Sequence, residues 1–498
     1  MEKMTYISQK QINYLYLAED RKFRHMELVG RITEKARLIN VLGSSKPELI
    51  VVYGRRRVGK TFLVRSVYRT YIRFEFSGLH KASLKQQLHN FHLALSDKNA
   101  NFPTPLNWLD AFHQLGKYLD RLRSKKRKVV FIDEFPWLDT HKSGFLGAFD
   151  NFWNNYASKR EDLVVVVCGS AASYMIKNII RSKGGLHNRL TEIIQLLPFN
   201  LSETEALLRR NQVKLTRYDI LQLYMAMGGV PHYLERVRSG ESVAQAVDRL
   251  FFTKDGFLRN EFDNVFASLF EKHENHETII RILASVRKGY TRNDLLKKGK
   301  LRSGGTLTKV LNELEESGFI EKYLPYRATK KDSVYRLTDE YSKFYIRFVE
   351  KTKPSSHGVW DKLHSKQSFK IWSGFTFETI CMKHFEQLKE GLKIRGVNSV
   401  SGSWLSKDPQ NNVQIDFLID RDDNIINLCE MKFYNTDYAI DKRYANELAK
   451  KVHLFTTKTK TRKSVFVTFI TTYGLIPNKY SKQIVQNELT VDSLFVEL

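Results

Sequence analysis

The sequence predicts an α/β protein whose centre is a parallel sheet that helices cover on both faces. Three short apolar runs rich in β-branched residues support this fold class, at residues 48–54, 128–135 and 162–172. Stretches of helical character separate the runs, and strands buried on both faces are continuously apolar instead of alternating. No apolar run reaches the ~18–20 residues of a membrane span, so we expect no membrane contact.

Composition narrows the class of protein further. The chain has 498 residues, enough for about three domains of ordinary size. Hydrophobic residues make up 42% of it, which excludes a disordered or fibrous chain. Lys and Arg number 81 against 54 Asp and Glu, a net charge of +27. This surplus indicates a polyanionic partner, usually nucleic acid, although a charged surface that only maintains solubility is the alternative.

The cysteines indicate the cellular compartment. Cys168, Cys381 and Cys429 lie in apolar surroundings and have no C-x-x-C spacing. Three such residues cannot form a disulfide framework, and their spacing does not fit a structural zinc site. We therefore expect a cytoplasmic protein with reduced thiols.

Changes of pattern along the chain divide it into six parts. Residues 1–25 have no clear period, residues 201–272 have helical character throughout, and residues 351–369 begin with Pro, Ser and Gly. We predict an N-terminal extension (1–25), a first α/β core (26–200), a helical lid (201–272), a helix-and-hairpin domain (273–350), a linker (351–369) and a second α/β domain (370–498).

A glycine-rich octapeptide follows the first apolar run and precedes a helical stretch. It fits G-x-x-x-x-G-K-[ST] with Gly54, Arg55, Arg56, Arg57, Val58, Gly59, Lys60 and Thr61. In this context backbone N–H groups and a helix N-terminus surround phosphates, while Lys60 reaches the β- and γ-phosphates and the Thr61 hydroxyl binds Mg²⁺. The octapeptide predicts a site for ATP and Mg²⁺; a glycine turn with a surface lysine is the alternative.

Two acids end the second apolar run. Asp133 stands at the predicted end of the strand, where a carboxylate can hold the Mg²⁺ shell, and Glu134 can polarise an attacking water. A solvated acid pair is the alternative, but a preceding phosphate loop favours the catalytic interpretation.

The motifs GRRRVGKT, FIDEF, CGSAASYM and GGVPHYL together resemble the archaeal and bacterial P-loop ATPases of the AAA+/STAND type over about residues 27–272. The resemblance implies an AAA+-like sheet with a helical lid, and places Ser170 near the γ-phosphate. It also implies that Gly229 and Pro231 lie near the adenine. Arg189 is then the candidate γ-phosphate-sensing arginine, with a plain surface arginine as the alternative.

Residues 291–339 resemble a winged helix-turn-helix. An amphipathic helix at 306–316 is followed by an extended segment from Phe319 and a hairpin with its turn at 329–332. Residues 291–331 contain ten Lys and Arg against five acids. Such a surface attracts backbone phosphates, and the helix would read a DNA groove. A winged helix that serves only for packing or protein contact is the alternative.

Acidic residues recur near the C-terminus in two predicted strands joined by a turn. In a hairpin centred on Asp423, Asp416 lies opposite Glu430, and Lys432 shares their face because side chains alternate along a strand. Two carboxylates and a lysine at one spot suit Mg²⁺-dependent phosphodiester hydrolysis. The carboxylates would bind the metal and Lys432 would orient the water or neutralise the developing anion.

This arrangement resembles the PD-(D/E)xK nucleases, whose fold is restriction-endonuclease-like, with Glu430-Met431-Lys432 as E-x-K. The resemblance implies a further metal-side carboxylate at Glu378 on the preceding helix. A solvated hairpin with a surface Glu–Lys pair is the alternative.

The function that these patterns predict is ATP binding and hydrolysis coupled to action on DNA, with a possible Mg²⁺-dependent endonuclease at the C-terminal end. The alternative is a STAND-type nucleotide switch whose last domain only binds DNA or protein. An arginine supplied by a neighbouring copy would make the protein a homo-oligomer.

Overall fold

The computed structural model of the protein describes residues 28–498, apart from 125, 182–185, 187, 271, 301–303, 355–357 and 407–412, and apart from the side chain of residue 330. The predicted N-terminal extension, residues 1–25, lies outside the described residues.

A parallel sheet forms the centre of the first part of the chain. Within the described residues it has five strands: β1 (Glu48–Tyr53), β2 (Ile72–Ser77), β3 (Lys128–Asp133), β4 (Leu163–Gly169) and β5 (Glu192–Gln195). Their order across the sheet is β2-β3-β4-β1-β5, with all neighbours parallel. The three apolar runs in the sequence are the three interior strands. The edge strands β2 and β5 escaped prediction because they are partly exposed and carry charged residues among the apolar ones.

Helices cover both faces of this sheet. They are α1 (Ile32–Leu42), α2 (Lys60–Tyr68), α3 (Leu84–Ser96), α4 (Trp108–Arg121), α5 (Phe145–Asn155) and α6 (Ala172–Met175). Successive residues of β1 enter different cores: Leu49 and Val51 pack on one face, Ile50 and Val52 on the other. All four have no exposed surface, as expected of a strand between two helical layers.

A helical stretch follows the sheet, in agreement with the helical character of the sequence there. It comprises α7 (Leu201–Arg210), α8 (Arg217–Met227), α9 (Pro231–Leu234), α10 (Val243–Val247) and α11 (Glu261–Leu269). None of the helices in the described part of the chain is long and apolar enough to cross a membrane.

A compact group of helices and short strands comes next, called here the small-sheet unit (residues 274–337). It contains α12 (Glu274–Ala284), α13 (Arg292–Gly299) and α14 (Gly304–Glu316), with strands β6 (Tyr290–Thr291), β7 (Ile320–Tyr323) and β8 (Val334–Leu337). The strands pair antiparallel in the order β6-β8-β7. Helix α14 and the β7–β8 hairpin lie where the sequence predicts them.

The predicted linker, residues 351–369, is corrected by the structure. It contains α16 (Val359–His364), after α15 (Glu340–Phe344). The Trp360 ring is buried against Phe344 and Phe369. Asp248 accepts the backbone N–H of Trp360 at 2.7 Å, which holds the helix start in place. The Pro, Ser and Gly residues suggested an open segment, but the tryptophan that follows them anchors the chain.

The C-terminal unit (residues 367–495) is a second, mixed sheet with flanking helices. Its described strands are β9 (Ser399–Leu405), β10 (Gln414–Arg421), β11 (Ile425–Lys432), β12 (Ser464–Thr471) and β13 (Asn487–Thr490), in the order β13-β12-β11-β10-β9. Its helices are α17 (Gln367–Lys383), α18 (Phe385–Gly391), α19 (Lys442–Thr459) and α20 (Lys479–Ile484). Strands β9 to β11 run antiparallel, and β11 to β13 run parallel. One apolar core extends from the helical stretch through the small-sheet unit into this unit.

A buried histidine joins the helical stretch to the C-terminal unit, and it makes stability depend on pH. His384 Nε2 accepts the N–H of Leu201 at 3.1 Å, and Nδ1 donates to the Ile380 carbonyl at 2.8 Å. Burial lowers the pKa of His384 to about 4. The unfolded chain therefore binds a proton on His384 more readily than the folded chain does. The neutral, buried His384 contributes its full stabilisation above the unfolded pKa of ~6.5, and this contribution is lost as the pH falls toward 4.

We expect the contribution of His384 to the free energy of unfolding to fall by roughly 3 kcal/mol between pH 7 and pH 4. Urea unfolding of the wild type and of His384→Gln across this range measures it, since the variant has no titrating group there. Replacement of the exposed His453 by Gln is the control and should keep the wild-type pH dependence. Equal pH dependence in wild type and His384→Gln would contradict the assignment.

Candidate functional site

The glycine-rich loop turns sharply between β1 and α2. Gly54 has φ +152° and passes so close to the Leu196 carbonyl that an added Cβ would lie 2.2 Å from its oxygen. Gly59, the residue before α2, has φ +92°, in the region that glycine adopts without strain. The loop therefore needs glycine at both positions, the first for a close approach and the second for its backbone conformation.

Lys60 lies back over this loop. Its side chain is buried, and Nζ donates to the carbonyls of Gly54 at 2.9 Å and Arg55 at 3.0 Å. It also donates to Ser170 Oγ at 3.0 Å, which brings the end of β4 against the loop. Because an ammonium has three donors, these three bonds hold Nζ at a defined place above the start of α2.

The predicted catalytic and metal residues of the first sheet meet at the same place. Thr61 Oγ1 donates to Asp133 Oδ2 at 2.6 Å. Ser170 Oγ donates to Glu134 Oε1 at 2.9 Å. Glu134 has φ +45°, which turns its side chain away from the line of β3. Two adjacent hard oxygen ligands on Thr61 and Asp133 fit the coordination that Mg²⁺ prefers.

A cavity of about 370 Å³ adjoins this cluster. Its polar lining includes Lys60, Thr61, Glu134 and Ser170. Its apolar lining includes Leu28, Val29, Phe199, Leu207 and Pro231. The cavity therefore combines groups that can bind phosphate with apolar surface for a flat ring, and Pro231 is one of the residues that line it.

Arg31 and His232 also line the cavity, and the sequence reasoning did not find them. Arg31 is buried, and Nη2 donates to the carbonyls of Val58 at 3.2 Å and Leu197 at 2.7 Å. Burial lowers the pKa of Arg31 despite the nearby Glu203 carboxylate. Burial, with nearby arginines, also lowers the pKa of His232 to about 4. No local motif marks Arg31, and His232 lies within GGVPHYL without being singled out there. Only the fold brings both side chains to the cavity.

The three loop arginines point in different directions. Arg56 is exposed and lines the cavity. Arg55 is buried and forms an ion pair with Asp339, just after the small-sheet unit. Arg57 Nη1 lies 2.8 Å from Glu261 Oε2 at the start of α11. The side chains of Arg55 and Arg57 therefore tie the loop to later parts of the chain.

Arg189 lies apart from the cavity. It is exposed in the turn before β5, where its backbone N–H donates to the Leu186 carbonyl at 3.1 Å. It is not among the residues that line the cavity. The structure therefore does not bring Arg189 to the cluster around Lys60.

The C-terminal acids converge on a second cavity, of about 410 Å³. Strands β10 and β11 form the predicted hairpin, with Phe417 opposite Cys429; one step further along this register Asp416 lies opposite Glu430. Glu378 approaches from α17. The carboxylates of Glu378, Asp416 and Glu430 all line the cavity, together with Lys432.

One guanidinium group joins two of these carboxylates. Arg287 Nη2 donates to Glu378 Oε1 at 2.9 Å and Oε2 at 3.1 Å, and it also donates to Asp416 Oδ2. Asp416 Oδ1 accepts from the Gln414 amide. Since one cation contacts both carboxylates, their separation fits a shared metal ion.

Glu430 has other partners. Tyr444 Oη donates to Glu430 Oε2 at 2.8 Å, and Lys451 forms an ion pair with Oε1. Lys432 Nζ lies 3.9 Å from Oε2 and 4.6 Å from the centre of the Tyr444 ring. In the described residues no group of three His, Cys, Asp or Glu side chains is placed to hold a metal ion, so the third carboxylate does not join the other two.

The surroundings of this cluster shift the pKa values of Glu378 and Lys432. Burial, and then the Asp416 carboxylate, raise the pKa of Glu378 to about 7, against the opposing charge of Arg287. Burial lowers the pKa of Lys432, although Glu430 opposes this change. Such shifts are typical of sites where charges are gathered for chemistry.

Sequence reasoning missed the side chains that pair with these acids: Arg287, Tyr444 and Lys451. Tyr444 and Lys451 are seven residues apart on α19, so they share one helix face. This spacing could have indicated from the sequence that the two side chains lie on the same side of the helix. Arg287 comes from the loop between α12 and β6, far from the acids in sequence, and no local pattern distinguishes it.

Comparison with known proteins supports the interpretation of the first site as that of an ATPase. Residues 28–237 match the family described as an ATPase domain predominantly from Archaea. The uncharacterized protein MJECL04 of Methanocaldococcus jannaschii is 25% identical over 387 residues, which cover 76% of this chain and 81% of that protein.

Two similar solved structures are a Walker-type ATPase of Pyrococcus abyssi and the ORC2 protein of Aeropyrum pernix. The first has a TM-score of 0.45 at 18% identity and covers 64% of this chain and 96% of its own. The second has a TM-score of 0.42 at 15% identity and covers 66% and 96%.

The loop geometry and the family match support a P-loop ATPase domain of the α/β class within residues 28–237. Its parallel sheet places the phosphate loop, Asp133, Glu134 and Ser170 at the carboxyl edge of neighbouring strands, where open α/β sheets bind their ligands.

The Arg55–Asp339 pair gives a stability prediction. Both side chains are 3% exposed, and removal of one partner leaves a buried charge unpaired. We expect Arg55→Met and Asp339→Asn each to lower the free energy of unfolding by about 3–5 kcal/mol, and the double variant to lower it by much less than the sum. Urea unfolding of the four proteins measures this.

Asn at 339 retains the cap that Asp339 Oδ2 provides by accepting the Ser342 N–H at 2.9 Å. The exposed pair Arg443–Glu447 is the control, because its removal should have little effect. Additive losses from Arg55→Met and Asp339→Asn would show that the two side chains do not interact.

Proposed function

We propose that the protein binds ATP in the cavity beside Lys60 and hydrolyses it there. The observation that supports this is the continuous hydrogen-bonded chain from Lys60 through Ser170 to Glu134, beside the Thr61–Asp133 pair. These groups have the roles that phosphoryl transfer requires: a phosphate-binding ammonium, two metal-side oxygens and a carboxylate that can orient water.

Each side chain has a defined task. Lys60 exchanges its carbonyl bonds for the β- and γ-phosphate oxygens, and the backbone N–H groups of residues 55–60 surround the phosphates. Thr61 and Asp133 hold Mg²⁺, which neutralises charge on the phosphates when it is bound. Ser170 stands between Lys60 and Glu134, where it senses the γ-phosphate, and Glu134 orients the attacking water.

The apolar side chains that line the cavity, Pro231 and Phe199 among them, would contact the adenine ring. Arg189 does not line the cavity of its own chain, so its proposed role as a γ-phosphate sensor requires a neighbouring copy. A homo-oligomer in which Arg189 faces the next cavity is part of this proposal.

A second activity is proposed for the C-terminal unit: Mg²⁺-dependent cleavage of DNA. The supporting observation is that Glu378 and Asp416 share one cation beside Glu430 and Lys432. Glu378 and Asp416 would hold the metal, which would activate water and stabilise charge on a phosphodiester. Glu430 would join them only if its carboxylate left Tyr444 and Lys451. Lys432 would orient the water or neutralise the developing anion.

DNA is the proposed partner because of charge and architecture. The small-sheet unit combines helices with an antiparallel hairpin, which supports the proposed winged helix. Lys297, Lys298 and Lys300 are exposed at the end of α13. Helix α14, the candidate groove-reading helix, has Lys309 exposed. The net charge of +27 attracts a phosphate backbone.

For the ATPase site, we expect Lys60→Ala to weaken Mg·ATP binding by about tenfold or more, because charge-assisted bonds to phosphate are lost. Glu134→Gln should keep ATP binding and lower the hydrolysis rate on the order of 100-fold. Isothermal titration calorimetry with ATP and a phosphate-release assay measure the two effects. The exposed Lys35→Ala is the charge-matched control, and wild-type turnover in Glu134→Gln would rule out this role of Glu134.

For the nuclease site, we expect Asp416→Asn to abolish Mn²⁺-dependent nicking of plasmid DNA and to leave ATP hydrolysis unchanged. Asp422→Asn, on the turn of the same hairpin, is the matched control. The assay is gel electrophoresis of supercoiled and single-stranded DNA. If the wild type binds ATP but shows neither nicking nor Mn²⁺ binding that depends on Asp416, the C-terminal unit is a non-catalytic binding module and the protein is a nucleotide switch.

A further inference from the structure

Arg287 stands out among the residues that line the second cavity, because it comes from a different unit than the acids it contacts. It lies in the loop between α12 and β6 of the small-sheet unit, whereas Glu378 and Asp416 belong to the C-terminal unit. Its guanidinium also stacks on the Phe375 ring, 4.2 Å from the centre, one turn before Glu378 on α17. The side chain is therefore held at the cluster by charge and by an aromatic face.

Each carboxylate oxygen of the cluster accepts from one protein group. Arg287 donates to both oxygens of Glu378 and to Oδ2 of Asp416, and Gln414 donates to Oδ1 of Asp416. Tyr444 and Lys451 donate to the two oxygens of Glu430. A divalent cation shared by Glu378 and Asp416 needs oxygens of both carboxylates as ligands. Since the Arg287 guanidinium lies between these two carboxylates, a cation bound there would take its place.

The loop that carries Arg287 is fixed to its own unit. Gly289 has φ +75°, and an added Cβ there would lie 2.2 Å from the Tyr335 carbonyl oxygen on β8. Arg336 Nε donates to the Lys288 carbonyl at 3.3 Å. The loop and β8 thus move together, so withdrawal of Arg287 from the acids requires either a new side-chain rotamer or a shift of the small-sheet unit.

We infer that Arg287 is an autoinhibitory cation: its guanidinium occupies the place of the divalent metal between Glu378 and Asp416 and keeps the C-terminal site closed until Arg287 leaves the two acids. This inference rests on the proposed nuclease function, because it concerns the metal site of that activity. It implies that only molecules in which Arg287 has left the acids can bind the metal. The apparent metal affinity of the wild type is then the intrinsic affinity multiplied by the small fraction of such molecules.

The test is a titration of the full-length protein with Mn²⁺, in the absence of nucleotide and DNA, monitored by electron paramagnetic resonance of the free ion. Wild type, Arg287→Ala and Arg287→Lys are each compared with the same protein carrying Asp416→Asn, so that only binding at the acid cluster is counted. Lys288→Ala, the exposed neighbour in the same loop, is the charge-matched control.

We expect Arg287→Ala to bind Mn²⁺ about tenfold or more tightly than the wild type at the Asp416-dependent site. Arg287→Lys should lie between the two, because an ammonium lacks the planar fork that reaches both carboxylates. Lys288→Ala should match the wild type. If Arg287→Ala does not fold, which circular dichroism shows, the comparison of Arg287→Lys with the wild type decides.

Two results would overturn the inference, and they differ. Equal Asp416-dependent affinity in wild type and in the Arg287 variants would show that Arg287 does not compete with metal, while the proposed metal site would stand. An absence of Asp416-dependent Mn²⁺ binding in every protein would remove the metal site itself, and the proposed nuclease function with it.

Discussion

The buried ion pair between Arg55 and Asp339 connects the two halves of the molecule. Arg55 belongs to the phosphate loop, and Asp339 caps α15 directly after the small-sheet unit. Burial alone would lower the pKa of Arg55, but the Asp339 carboxylate raises it, so the arginine stays charged. A charge removed from water is tolerated only with its partner in place, and the loop and α15 are therefore held together. A change in the conformation of the phosphate loop therefore acts through this ion pair on the start of α15.

The two candidate sites are built by the same principle. In each, acidic side chains accept hydrogen bonds from hydroxyl or basic groups of other elements: Glu134 from Ser170, and Glu378 of α17 and Asp416 of β10 from Arg287. Buried carboxylates are costly unless they are paired. The pairing keeps each site stable, and it also means that a ligand must compete with an internal partner before it binds.

Much of the fold was accessible from the sequence. The interior strands β1, β3 and β4 are continuously apolar because both faces are buried, and the octapeptide from Gly54 to Thr61 is specific because only this loop shape brings backbone donors around phosphates. The hairpin centred on Asp423 followed from strand alternation. Edge strands β2 and β5 lacked a signal since one side of each is partly solvent-exposed. The Pro, Ser and Gly residues of the predicted linker did not reveal that Trp360, which follows them, is buried. Local composition does not show which side chains pack against distant parts of the chain.

By itself the sequence determined the elements whose chemistry is local: the phosphate loop, the acids at the end of β3, and the strand pair that carries Asp416, Glu430 and Lys432. Only the tertiary structure decided which distant side chains complete each site. Arg31 reaches the first cavity and Arg287 the second across long stretches of chain, and Arg189 remains outside on the surface. The physical reason is that local spacing governs which residues share a strand or helix face, whereas burial and charge pairing between separate elements depend on how the whole chain packs.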